Sequence, residues 1–246
     1  MKKIAFLFPG QGSQSVGMGQ EFYQEYDIVR EIFDMAEEIT RINLSKLCFK
    51  GPMEELTETV NLQPAVTAVN LACLATIQKE SVEASFCAGH SLGEYSALCA
   101  TSTLSKEDTL KLVFKRGELM HREATRHKGA MHAIVGLSIE EVDALVARIQ
   151  PEGVVSVANH NTETQIVITG EPDPVERVGV LAAEKGAKSI PLNVSGAWHS
   201  DLIKGAQDEF SEFLDHFTFN SPRGAVLFNV TAAHEEDPGE IKSILA

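Results

Sequence analysis

Apolar residues along this chain fall into short runs and helical stripes that alternate. Residues 3–8, ending in Phe6-Leu7-Phe8, predict a first, buried strand, and a glycine-rich stretch, Gly10-Gln11-Gly12-Ser13-Gln14, follows it. From about 20 to 40 the spacing is helical, with Phe22, Tyr26, Val29, Phe33 and Ala36 on one face. The segment 50–64 is looser and ends in Asn61-Leu62-Gln63-Pro64, and 65–80 reads as a second, mostly apolar helix. A short strand at Ser85-Phe86-Cys87-Ala88 precedes helices near 93–101 and 105–124. Glu107 and Asp108 sit in the first turn of the latter, where acids suit the helix dipole.

Beyond this point the pattern changes. Residues 130–137 predict a strand. Ser138, with Glu141 three residues on, predicts a capping box for a helix over 139–149. Strands at 153–159 and 164–170 are joined by His160-Asn161-Thr162-Glu163, then come a helix over 172–185 and a strand over 188–194. The order β-α-β-β-α-β is the split pattern of a ferredoxin-like subdomain, set inside a larger α/β domain. That domain resumes with a helix at 200–216 and a strand at 225–230. Asp237, Pro238 and Glu240 predict one more helix start, and the chain stops barely two turns into it.

Composition narrows the class of protein. Of the 246 residues 43% are hydrophobic and 23% charged, the balance of a soluble globular chain with a sizeable core. No run of eighteen apolar residues predicts a membrane span, and the apolar start is too short for a signal peptide. The net charge of −14 argues against nucleic acid or an anionic membrane as partner. One basic stretch stands out, with Lys115, Arg116, Arg122, Arg126 and Lys128; an ordinary solvated helix face accounts for most of it. Cys48, Cys73, Cys87 and Cys99 have no metal-binding spacing and read as reduced core residues of a cytoplasmic protein.

The chemistry concentrates at Gly89-His90-Ser91-Leu92-Gly93. This G-x-S-x-G run lies between a strand and a helix, the setting of a nucleophile elbow. The glycines let the backbone turn sharply, Ser91 is held at the tip, and the Leu92 amide can stabilise an oxyanion. His90 is expected to pack or hydrogen-bond beneath the elbow. His199, in the small-residue turn Ser195-Gly196-Ala197-Trp198-His199-Ser200, is the better base candidate. No third member of a triad is evident as a motif, and a backbone carbonyl could hold the histidine's tautomer. The Gln11 amide could be a second oxyanion donor, and the fork of Arg116 would fit a substrate carboxylate.

Taken in order, Phe8-Pro9-Gly10-Gln11-Gly12-Ser13-Gln14, Gln63-Pro64-Ala65, Gly89-His90-Ser91-Leu92-Gly93-Glu94-Tyr95, Arg116-Gly117, Asn159-His160-Asn161 and Gly196-Ala197-Trp198-His199-Ser200 resemble the malonyl-CoA:acyl-carrier-protein transacylases of fatty-acid synthesis. The resemblance spans almost the whole chain. It implies a large α/β-hydrolase-like subdomain, residues 1–125 and 195–246, with a small ferredoxin-like subdomain at 126–194. It implies a ping-pong reaction through a malonyl ester of Ser91, with His199 as base and the Gln11 and Leu92 amides as oxyanion hole. Arg116 would pair with the malonyl carboxylate, and Gln63, Asn159 and Asn161 would line the cleft. Trp198 stands where phenylalanine is more usual and should narrow the pocket at the α-carbon. Malonyl-CoA and acyl carrier protein are the implied partners, with no metal or cofactor, and the chain is expected to act as a cytoplasmic monomer. Family members continue well past Ala246, with a glutamine whose carbonyl orients the histidine, then a final strand and helix.

Two other readings stay open on the residues alone. A serine hydrolase could use Ser91 and His199 with water as acceptor, although Arg116 and the absence of an HGGG-type motif count against it. A non-catalytic module could bind acyl carrier protein through the basic stretch at 115–128.

Overall fold

The computed structural model describes residues 3–246. Its elements run β1 (Ala5–Phe8), α1 (Gln20–Glu25), α2 (Asp27–Thr40), α3 (Leu44–Lys50), α4 (Met53–Thr57), α5 (Thr59–Lys79), β2 (Phe86–Gly89), α6 (Gly93–Ala100) and α7 (Lys106–Arg126). Then follow β3 (Ala130–Val135), α8 (Ile139–Ile149), β4 (Val155–Thr162), β5 (Gln165–Gly170), α9 (Pro172–Glu184), β6 (Lys188–Pro191), α10 (Gln207–Leu214), β7 (Ala225–Leu227) and α11 (Pro238–Leu245). The chain divides into two compact units, Met1–Glu118 with Asp208–Ala246, and Leu119–Gln207.

The first unit is built on a parallel sheet of order β1-β2-β7. Its register aligns Phe8 with Gly89 and Leu227 with Ala88. Successive strand residues point to opposite faces, so Phe8, Cys87 and Val226 are buried while Leu7, Phe86 and Leu227 are exposed. The expectation of a wholly buried first strand is therefore corrected: within the described residues only one face of this sheet is covered, and Leu7 is 76% exposed.

Helix α5 is the centre of this unit. It begins at Thr59, so the looser stretch expected up to residue 64 is helical over its last six residues. Pro64 lies inside the helix, where it removes one backbone donor. Burial of most of its length compensates: Leu62, Ala65, Ala68 and Leu71 are fully inside. Gly117 of α7 lets that helix approach closely, since a Cβ there would sit 3.0 Å from the Thr59 carbonyl oxygen. By length and composition α5 could cross a membrane, yet 72% of its apolar window is buried in the protein, as in a core helix.

Other boundaries moved for local reasons. The helix expected over 20–40 is two helices, broken where Tyr26 adopts extended backbone. Its buried face is Val29, Ile32, Phe33 and Ala36, and Phe22 is exposed. Helices α3 and α4 lie in a stretch with no clear period and were not anticipated; Asn43 caps the first by accepting from the Lys46 amide at 3.0 Å. The 200–216 helix starts as a 3-10 turn over Asp201–Ala206, capped by Ser200. Of the cysteines, Cys48, Cys87 and Cys99 are buried as expected but Cys73 is exposed. Burial pushes the Cys48 thiol up to about 12 and the Cys87 thiol up to about 11, so neither is a nucleophile at neutral pH.

The second unit carries a four-stranded antiparallel sheet of order β4-β5-β3-β6. Helices α8 and α9 connect β3 to β4 and β5 to β6. The capping box at the start of α8 forms as the sequence predicts, with Ser138 Oγ accepting from the Glu141 amide and Glu141 Oε2 accepting from the Ser138 amide. One layer of the unit packs Ile134, Val142, Val146, Ile149, Ile166, Ile168, Val175 and Val178. The other gathers Met120, Met131, Ala133, Val167 and Trp198. The hairpin between β4 and β5 is tighter than expected: Asn159, His160 and Asn161 are strand residues, and only Glu163 and Thr164 turn the chain.

Candidate active site

Within the first unit the elbow forms as a strand, a sharp turn and a helix. Ser91 has φ of +48°, in the left-handed region, so its side chain stands at the tip between β2 and α6. Such a conformation costs on the order of 1–3 kcal/mol and persists only where its surroundings enforce it. The glycines allow the surroundings to close in. A Cβ at Gly89 would lie 1.9 Å from the Gly93 carbonyl carbon, and one at Gly93 would lie 2.1 Å from the Phe8 carbonyl oxygen. One at Gly10 would lie 2.2 Å from the His90 carbonyl oxygen. The glycine-rich loop after β1 thus packs directly on the elbow, which brings Gln11 to it. Asn70 of α5 ties the two together, donating to the Pro9 carbonyl at 3.1 Å and to Ser96 Oγ at 3.3 Å.

Leu92 is fully buried and precedes the first turn of α6. Its amide and that of Gln11 donate to no backbone or side-chain group among the described residues. The Gln11 side chain donates to Thr59 Oγ1 at 3.5 Å. Arg116 spans the site: Nη1 donates to Gln63 Oε1 at 3.1 Å and Nη2 to Ser91 Oγ at 3.1 Å. Gln63 is fully buried, so the fork is aimed from a fixed base. Neither partner is a carboxylate, and the guanidinium lies 5.9 Å above the Tyr95 ring. Ser91, Leu92, Gln11, Gln63 and Arg116 are therefore gathered in one unit.

The remaining candidates belong to the second unit. His199 is exposed on its turn with φ of +60°. Ser200 Oγ donates to the Ala197 carbonyl at 2.7 Å and fixes that turn. Trp198 is only 4% exposed, and its Nε1 has no hydrogen-bond partner among the described residues. Gly196 is small for a packing reason: a Cβ there would meet the Trp198 ring at 2.8 Å and Ala124 at 2.7 Å. Asn159 is half-buried and Asn161 exposed, both on β4. His90 is exposed, so the expected packing beneath the elbow does not form; the loop after β1 lies against its carbonyl.

Two residues of the elbow had no role assigned from the sequence: Glu94 stands in the motif without one, and Asn229 has no signal. Asn229, just past β7, accepts from the Ser91 amide, and buried Glu94 accepts from Asn229 in turn. Burial raises the Glu94 pKa, opposed by hydrogen bonds from Asn229 and by the charge of Arg116. The basic stretch is largely paired: Lys115 with Glu209, and Arg122 and Arg126 with Glu123. Among the described residues no group of three His, Cys, Asp or Glu could hold a metal ion.

A match to the acyl transferase domain model covers residues 5–243. The chain belongs to the acyl transferase domain family. A malonyl CoA-acyl carrier protein transacylase of Bacillus subtilis is 43% identical over the whole chain and 78% of its own length. One from Haemophilus influenzae is 40% identical over the whole chain and 80% of its own length. Among solved acyl transferases, an acyl carrier protein S-malonyltransferase from Vibrio cholerae superposes with a TM-score of 0.93 at 41% identity, over 99% of this chain and 80% of that one. A type II polyketide-synthase acyl-carrier protein in complex with its malonyl-transacylase gives a TM-score of 0.95 at 35% identity, with 99% and 80% covered.

Proposed function

We infer that this acyl transferase moves the malonyl group from malonyl-CoA to the phosphopantetheine thiol of acyl carrier protein, supplying fatty-acid chain elongation. The observation that carries the reading is the Arg116 fork, held by Gln63 at one end and reaching Ser91 Oγ at the other. A malonyl group esterified to Ser91 ends in a carboxylate only two carbons beyond the ester carbonyl. A guanidinium already in contact with the serine oxygen can turn to that carboxylate with little movement, and an uncharged acyl group offers it nothing comparable.

In this reading Ser91 Oγ attacks the thioester carbonyl while its proton passes to His199. The two partnerless amides, of Gln11 and Leu92, take the oxyanion. The carbon–sulfur bond breaks, and the coenzyme A thiolate takes the proton from His199. The carrier thiol then gives its proton to His199 and attacks the malonyl ester, and Ser91 Oγ leaves with that proton. Asn159, Asn161 and Trp198 are assigned to substrate binding in this reading. The strand order of the second unit supports calling it a ferredoxin-like subdomain, and the parallel sheet with its elbow supports a hydrolase-like large subdomain. A cytoplasmic setting accords with four free cysteines.

The test is intact-protein mass spectrometry after brief mixing with malonyl-CoA, followed by peptide mapping. One malonyl adduct on Ser91, cleared by holo acyl carrier protein, is expected; Ser91→Ala carries none. Arg116→Ala should slow malonylation roughly 10–150-fold, the equivalent of a charge-assisted hydrogen bond of about 1.5–3 kcal/mol, while acetyl transfer holds or improves. Equal loss with both acyl groups removes Arg116 from the carboxylate role.

A further inference from the structure

We propose that Asn229, anchored by Glu94, is a positioning residue that holds Ser91 in its reactive backbone conformation. The inference rests on Ser91 being the nucleophile. Ser91 is bent into the left-handed region, and its amide lies outside the hydrogen-bond ladder of α6. Asn229 Oδ1 accepts from that amide at 3.2 Å. Asn229 Nδ2 donates to the Gly89 carbonyl at 2.8 Å. A single carboxamide therefore grips the backbone on both sides of His90, before and at the serine.

The grip is itself held. Glu94 Oε1 accepts from the Asn229 amide nitrogen at 2.8 Å and from Nδ2 at 2.8 Å. Glu94 is 7% exposed, so its carboxylate is fixed, and its hydrogen bonds face less competition from water than those of a surface acid. Both Nδ2 hydrogens and the Oδ1 acceptor are used, and only one orientation of the carboxamide satisfies all three partners. The sheet sets its height: Leu227 pairs with Ala88, which brings residue 229 level with the turn. Fully buried Phe228 pins the strand end one residue before it, its amide donating to the Ala233 carbonyl at 3.0 Å.

Asn229 has no described contact with Ser91 Oγ. It works through the serine's backbone, so its removal should cost rate rather than substrate affinity. A displacement of about 1 Å at a nucleophile lowers rates on the order of 100-fold.

The experiment compares the wild type with Asn229→Ala, Asn229→Asp, Glu94→Ala and Glu94→Gln. It reads single-turnover malonylation of Ser91, labelling of Ser91 by a fluorophosphonate probe, and thermal melting. Asn229→Ala and Glu94→Ala are expected to slow malonylation roughly 10–100-fold at saturating malonyl-CoA, with KM changed less than about threefold. Labelling should slow in parallel. Asn229→Asp keeps the shape but turns an acceptor toward Gly89 and Glu94, so it should lose as much even if the alanine variant folds poorly. Glu94→Gln keeps an acceptor oxygen for Asn229 and should lose only several-fold. A folded Asn229→Ala or Asn229→Asp protein labelled within twofold of wild type overturns the proposal. A wild type that neither reagent modifies at Ser91 overturns the nucleophile reading, and the proposal with it. Labelling without malonylation, still slowed in the Asn229 variants, sinks the malonyl reading and supports the clamp.

Discussion

At the elbow, glycines at 10, 89 and 93 stand where a Cβ would fall 2.2, 1.9 and 2.1 Å from neighbouring backbone atoms. In the second unit, isoleucines, valines and a leucine on β3, β5, α8 and α9 interlock across one face of an antiparallel sheet. The first region is built on main chain against main chain, tied by the carboxamides of Asn70 and Asn229, and the layer in the second on side chain against side chain. Main-chain contacts leave no slack, because a backbone cannot change rotamer to make room. Side-chain packing yields by degrees, through cavities and small shifts. A nucleophile needs the first kind of precision, and a scaffold can live with the second.

That contrast makes predictions of graded size. The largest concerns Gly89→Ala, where the new methyl would overlap the Gly93 carbonyl carbon. It should destabilise by more than about 4 kcal/mol or leave no soluble folded protein, measured by yield and thermal melting. Wild-type melting in this variant would break the comparison at its root. Next comes Ile134→Ala in the fully buried layer of the second unit. It should cost about 2–5 kcal/mol in urea unfolding while the protein still folds. A loss below about 1 kcal/mol would show that this layer repacks more freely than its burial suggests.

The smallest effect sharpens the contrast within the second unit. His132 is buried beneath α9, with Nδ1 hydrogen-bonded to Ser189 Oγ at 2.9 Å and Nε2 3.8 Å from Glu176. Burial holds its pKa below the ordinary 6.5, and Glu176 opposes this only in part. The folded protein then binds fewer protons than the unfolded chain just below that value. Stability is fully present above 6.5 and falls as the pH drops toward the lowered folded value. His132→Gln can still bond Ser189 and should flatten the fall in melting temperature between pH 7 and 5. An unchanged slope would assign the acid sensitivity to other groups.

Much of this was legible in the sequence where the signal is local. The elbow announces itself by its glycines, the α8 cap by Ser138 and Glu141, and the last helix by Asp237, which accepts from the Gly239 and Glu240 amides. The start of α5 was not legible, because its first turns are buried with no polar face and Pro64 reads as a breaker. Nor was the exposure of Leu7, since an apolar run does not say which of its faces will be covered. Asn229 and Glu94 were out of reach for another reason. Their bonds join positions 135 or more residues apart, and nothing near either one marks the partner.

That separation has a consequence in time. Ser91 lies 138 residues ahead of the side chain that accepts its amide hydrogen. At ribosomal rates the growing chain carries the serine for on the order of ten seconds before Asn229 is made. During that interval the strand, the glycines and α6 are already present, but β7 has not arrived to close the turn. A half-synthesised chain thus carries Ser91 without the side chain that accepts its amide hydrogen in the finished fold.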